Sequence, residues 1–149
     1  MCQITRIQEF LESYRTLNPY LKELVSSCKD HYVRQLFIEY EKKGIKNYQN
    51  LAVKTSITDL ISQISNLDLF ITGDSGPMHI AASFQIPTVA IFGPTNDHET
   101  SQWGLEKSII VKKNLDCQPC MKRTCPLKHH NCMKLIKSDD VLRAIQSFN

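Results

Sequence analysis

Apolar residues recur at helical spacing in four stretches and run together at strand length in two. Ile4, Ile7, Phe10, Leu11, Tyr14 and Leu17 share one helical face, and Asn18-Pro19 ends it. Residues 20–28 fit either helix or strand. Asp30 opens a second helix with Val33, Leu36, Phe37 and Tyr40 inward; Lys42 and Lys43 suit its negative end, and Gly44 suits the position beyond it. Residues 47–53 read as a loop with a short strand. Ser56 then caps a third helix, with Asp59 three residues on and Ile57, Leu60, Ile61 and Ile64 as its buried stripe.

Leu67–Thr72 is a strand of the buried type, followed by the tight turn Gly73-Asp74-Ser75-Gly76. Pro77 suits the first position of a helix running to about Phe84. Gln85-Ile86-Pro87 breaks it. Thr88–Phe92 is a second buried-type strand, stopped by Gly93-Pro94-Thr95. Strand, short helix and strand with near-continuous apolar strands predict a βαβ unit, hence an α/β fold with a Rossmann-like parallel sheet and flanking helices. Ser108–Lys112 adds a short strand. Residues 113–137 are loop-rich. Ser138 caps a closing helix, with Asp139 and Asp140 in its first turn and Val141, Leu142, Ile145 and Phe148 inward.

The 149 residues suit one domain, or half of a two-domain enzyme. The apolar runs are too short to span a membrane. The first residues lack the apolar region of a signal peptide, so a cytoplasmic address is expected. The net charge of +3 is uneven: residues 107–137 hold eight Lys/Arg against Asp116 alone, so this segment carries +7 and the remainder −4. Such a segment is either a solvated basic face or a surface for an anionic partner.

Candidate chemistry gathers at two places. The first is the turn Asp74–His79, at the exit of a strand and the start of a helix, where open α/β sheets bind ligands. Free N–H groups and the helix dipole favour an anion there. Ser75 adds a hydroxyl, Asp74 a carboxylate able to hold sugar hydroxyls, and His79 an imidazole one turn in. The plainer alternative is a strand–helix turn capped by Asp74. Gly-Asp-Ser-Gly also surrounds the nucleophile of chymotrypsin-like proteases, but this chain has His31 alone before Ser75 and no β-barrel pattern. Thr95 fits a second wall of the same crevice. The second place is Cys117-x2-Cys120-x4-Cys125-x6-Cys132, with His129 and His130 between the last two. It offers ligands enough for tetrahedral zinc, or it is a small reduced lobe of packed thiols. Lys122, Arg123 and Lys128 flank it and could contact phosphate.

The stretch from Asn50 to Thr95, NLAVKTSITDLISQISNLDLFITGDSGPMHIAASFQIPTVAIFGPT, followed by CQPCMKRTCPLKHHNCMKLI, resembles the C-terminal domain of ADP-heptose:lipopolysaccharide heptosyltransferases, most of all the type II enzymes. The likeness runs from about Gly44 to Phe148 and extends back to about Cys28. It implies the C-terminal half of a GT-B glycosyltransferase: a donor-binding domain over 28–149, including a Cys-rich lobe at 113–137, behind an unmatched helical segment at 1–27. The donor implied is ADP-L-glycero-D-manno-heptose, with no metal cofactor, and the acceptor is the anionic lipopolysaccharide inner core. By position, Asp74 matches the carboxylate on the donor heptose, and Ser75 and Gly76 the diphosphate turn; Pro77 and Met78 are counted with the donor-binding residues. His79 matches the histidine that follows, Thr55 a residue of the adenine pocket, and Asp30 the acidic residue near the ribose.

The same resemblance implies that the acceptor domain and its catalytic base lie outside this chain. The chain alone is then expected not to turn over, and a separately encoded N-terminal half becomes a candidate partner. The implied location is cytoplasmic, peripheral on the inner face of the inner membrane. Val53 stands where the family has Gly, which bears on the adenine loop if that Gly has positive φ. Two rival readings remain: a non-catalytic nucleotide- or partner-binding module, and a small zinc domain on nucleic acid. The second lacks stacking aromatics between Lys107 and Lys137, so no nucleic acid is expected.

Overall fold

The computed structural model describes residue 51 and residues 55–148. The helices expected over 4–17 and 30–43, Asp30 and Val53 lie outside the described residues. The elements are α1 (Ile57–Ser65), β1 (Phe70–Gly73), α2 (Gly76–Ser83), β2 (Thr88–Ile91), α3 (Asp97–Thr100), β3 (Ser108–Val111), α4 (Asn131–Lys134) and α5 (Ser138–Gln146).

The three strands form a parallel sheet in the order β1-β2-β3. Phe70 pairs with Thr88, and Thr88 with Ser108. Period-2 alternation then sends successive side chains to opposite faces. Val89 and Val111 face α5, where they pack with Ile136, Val141 and Ala144. Ala90 and Phe92 face the other way and meet Met78 of α2. Phe70 joins Ile64, Leu67, Ala81 and Ile86 beneath α1 and α2. The sheet is therefore packed against on both faces, which is why its strands read as near-continuous apolar runs. Ile64, Phe70, Met78, Val89 and Phe92 are each less than 2% exposed. Burial on that scale contributes roughly 1.5–3 kcal/mol per side chain.

The capping box at α1 is present: the Ser56 hydroxyl accepts from the Asp59 N–H at 3.1 Å, and the Ser56 N–H donates to Asp59 Oδ2 at 3.0 Å. The buried stripe expected on that helix is only half realised. Ile64 is buried and Leu60 packs beside it, but Ile57 is 73% and Ile61 37% exposed. Among the described residues, α2 packs against α1. It covers the row of Leu60 and Ile64 and leaves the row of Ile57 and Ile61 outside.

Several boundaries also shift. Gly73 ends β1 rather than opening the turn, because its backbone continues the ladder opposite Ile91. Ser75 is the residue before α2, so Gly76 rather than Pro77 takes the first helical position. Lys137, not Ser138, precedes α5; its N–H donates to Asp140 Oδ2 at 2.9 Å. The ladder also stops one residue short of both Phe92 and Lys112.

Lys112 and Lys113 follow β3 and turn to opposite sides. Lys112 holds Asp97 of α3 at 2.6 Å, and Lys113 holds Asp140 of α5 at 2.7 Å. Two of the eight cations in the basic segment are thus committed to internal pairs. Lys122, Arg123 and Lys128 remain exposed. No helix among the described residues is long and apolar enough to cross a membrane.

Candidate functional site

The carboxyl ends of β1 and β2 point to one edge of the sheet, and the loops leaving them form the candidate site. From β1 the chain turns through Asp74 and Ser75 into α2. Ser75 is extended (φ −161°, ψ 163°), and its hydroxyl makes no cap bond to the helix. It donates instead to Gly73 O at 3.2 Å and lies 3.2 Å from Thr72 Oγ1. No imidazole bonds this hydroxyl among the described residues, and His31 lies outside them.

Asp74 does not cap α2 either. Its Oδ2 accepts from Thr100 Oγ1 at 3.0 Å, across 26 residues of sequence. Among the described residues this is its hydrogen bond, and Oδ1 is left free. Gly76 and His79 are exposed at the start of the helix. Met78, counted by the sequence among the donor-binding residues, lies in the core. Its side chain is 0% exposed in the core, and its N–H already donates to Ser75 O at 3.0 Å. It fastens α2 to the sheet. Pro77 has no N–H to offer.

From β2 the chain passes Gly93, Pro94 and Thr95 into α3, a single helical turn with no apolar periodicity to announce it. Asn96 caps it, with Oδ1 accepting from the His98 N–H at 3.3 Å and Nδ2 donating to Glu99 Oε1 at 2.8 Å. Lys112 pins its first residue. That hydrogen bond holds the Asp97 carboxyl below the usual carboxylate range, against a smaller opposing effect of burial. Thr95 Oγ1 is buried and has no partner among the described residues. Buried polar groups are nearly always partnered, so this hydroxyl stands out. Thr55 is half-buried ahead of α1.

The cysteine lobe leans on this second wall. Gln118 Nε2 donates to Gly93 O at 2.6 Å, and the Met121 N–H donates to Pro94 O at 2.9 Å. A Cβ on Gly93 would run into the Met133 side chain, so glycine permits the close approach of lobe to loop. Cys117, Cys120, Cys125 and Cys132 all line one cavity of about 260 Å³, with Pro94, Lys122, Arg123, His129 and His130 on its walls. The cysteines are free thiols, and Cys132 is buried. Backbone N–H groups, that of His130 first, lower the Cys125 thiol. Burial first, and then the other three cysteines, raise Cys132. Among the described residues no three His, Cys, Asp or Glu side chains are grouped so as to hold a metal ion.

A parallel sheet with helices on both faces, and polar side chains gathered where two adjacent strands end, is the architecture of ligand-binding α/β domains. The chain belongs to glycosyltransferase family 9 (heptosyltransferase), whose model matches residues 24–131. It is 50% identical over 101 residues to lipooligosaccharide heptosyltransferase 2 of Campylobacter jejuni subsp. jejuni serotype O:6, a match covering 68% of this chain and 32% of that protein. It is 33% identical over 92 residues to lipooligosaccharide heptosyltransferase 2 of Haemophilus influenzae, covering 61% and 27%. The chain thus spans about a third of the length of the curated relatives it matches. Among solved structures, E. coli ADP-heptose lps heptosyltransferase II matches with a TM-score of 0.74 at 21% identity, over 97% of this chain and 40% of that one. A glycosyl transferase family 9 structure from Veillonella parvula matches with a TM-score of 0.59 at 19% identity, over 97% and 50%. These likenesses show the α/β fold expected from the sequence.

Proposed function

We propose that this chain forms the donor-binding part of a GT-B heptosyltransferase. Residues 28–149 form that unit, with residues 113–137 as a lobe that supports one wall of the crevice. The bound donor is a nucleotide-sugar, ADP-L-glycero-D-manno-heptose, and the acceptor is the anionic inner core of lipopolysaccharide. The observation that carries this reading is the Asp74 carboxylate. It stands at the carboxyl end of β1, fixed through one oxygen and open at the other, directly before the start of α2.

In this reading Asp74 Oδ1 accepts hydrogen bonds from heptose hydroxyls. Ser75 and Gly76, at the positive end of α2, take the diphosphate and hold its charge as it leaves. Pro77 fixes the turn, and His79 donates from one turn into the helix. Thr55 lines the adenine side, and the unpartnered Thr95 hydroxyl gains its partner from the donor. The acceptor-activating base comes from residues beyond these 149, in the same or a separately encoded chain. Exposed Lys122, Arg123 and Lys128 present positive charge to an anionic acceptor at a membrane face.

The test is a calorimetric titration of the purified chain with ADP-heptose, with ADP and UDP-glucose as comparisons. Saturable binding that prefers ADP ligands is expected. Asp74→Ala should weaken ADP-heptose by about tenfold or more, the scale of one lost charge-assisted hydrogen bond, with ADP little changed. A folded chain that binds none of the three would overturn the reading.

A further inference from the structure

We infer that Thr100 is a positioning residue: its hydroxyl, delivered by α3 from the far wall of the crevice, sets the orientation in which Asp74 meets the sugar of the donor. The inference rests on the donor-site reading above and names a residue that reading does not use.

Thr100 Oγ1 lies 3.0 Å from Asp74 Oδ2 and 3.0 Å from Asn96 O. A hydroxyl has one proton, and the carboxylate is the stronger acceptor. Its bond to Asp74 occupies one carboxylate oxygen and leaves the other for a ligand. An aspartate on a turn, with no second anchor, could rotate about χ1 and χ2 through several rotamers. Thr100 is β-branched, which restricts χ1 to few rotamers, and in the observed one its hydroxyl meets Asp74 from a defined point.

That point is itself fixed from three directions. The Thr100 N–H donates to Asn96 O at 3.0 Å, closing the turn of α3. Lys112 grips Asp97 through both carboxylate oxygens, at 2.6 and 2.7 Å, which ties α3 to the end of β3. The cysteine lobe holds the loop before α3 through Gln118 to Gly93 and Met121 to Pro94. The chain of contacts runs from β3 and the lobe, through α3, to one carboxylate oxygen. It places the second wall of the crevice in control of a group on the first.

The variants are Thr100→Val, which keeps shape and removes the donor, and Thr100→Ser, which keeps the donor. The readout is the ratio of affinities for ADP-heptose and ADP, because ADP lacks the sugar that Asp74 addresses. Thr100→Val should lose about tenfold of the wild-type preference for the sugar nucleotide while its affinity for ADP holds. Thr100→Ser should restore most of it. On an Asp74→Ala background Thr100→Val should change nothing further, because the two residues act as one unit. An unchanged ratio in Thr100→Val would overturn the inference, as would equal weakening of both ligands, which marks a merely structural role. Wild-type protein that binds neither ligand would defeat the donor-site reading itself, and the inference with it.

Discussion

Met78 and His79 are neighbours in sequence with opposite fates. One fills the core between α2 and the sheet, and the other is exposed at the crevice. Met78→Ala should therefore cost stability, about 2–5 kcal/mol as for other buried Met truncations, read by chemical denaturation. The sequence shows this pair only as consecutive residues after a proline, because α2 is apolar on more than one side and its periodicity does not separate core from rim. The Thr100–Asp74 bond was likewise illegible. It joins two polar residues 26 positions apart, each with ordinary turn chemistry, and no spacing rule links them. Ser56 with Asp59 was legible because its two partners lie within one helical turn.

The pattern located most of the described elements because the strands are apolar on both faces and each longer helix carries a local start signal. It missed α3, a four-residue turn held by Lys112 rather than by apolar periodicity. Tethers of this kind carry a pH signature. Asp59, Asp97 and Asp140 all have carboxyls held below the usual range. Ser56 lowers Asp59, and Lys112 lowers Asp97. At Asp140, burial pushes upward but Lys113, the Lys137 N–H and Arg143 outweigh it. A depressed folded pKa gives stability that is complete above the unfolded value, about 3.9 for Asp, and is lost as pH falls through the folded value. Denaturation curves should thus be steady from pH 7 to 5 and weaken below about pH 4. Asp97→Asn should show a shallower acid loss than wild type.

At the scale of the molecule, the sheet is closed by elements from both ends of the described chain. α2, beside α1, covers one face early, but the face carrying Val89 and Val111 stays open until Ile136, Val141 and Ala144 arrive. A protein ended after residue 137 should aggregate or bind apolar dyes, whereas the full chain stays monodisperse, as size-exclusion chromatography would show. The same dependence governs synthesis. The ribosome releases β2 long before α5, so a growing chain carries a half-covered parallel sheet through about fifty further codons, at roughly 5–20 residues per second. For those seconds the nascent protein exposes a strip of Val and Ile, which makes it a natural client for chaperones until its closing helix leaves the exit tunnel.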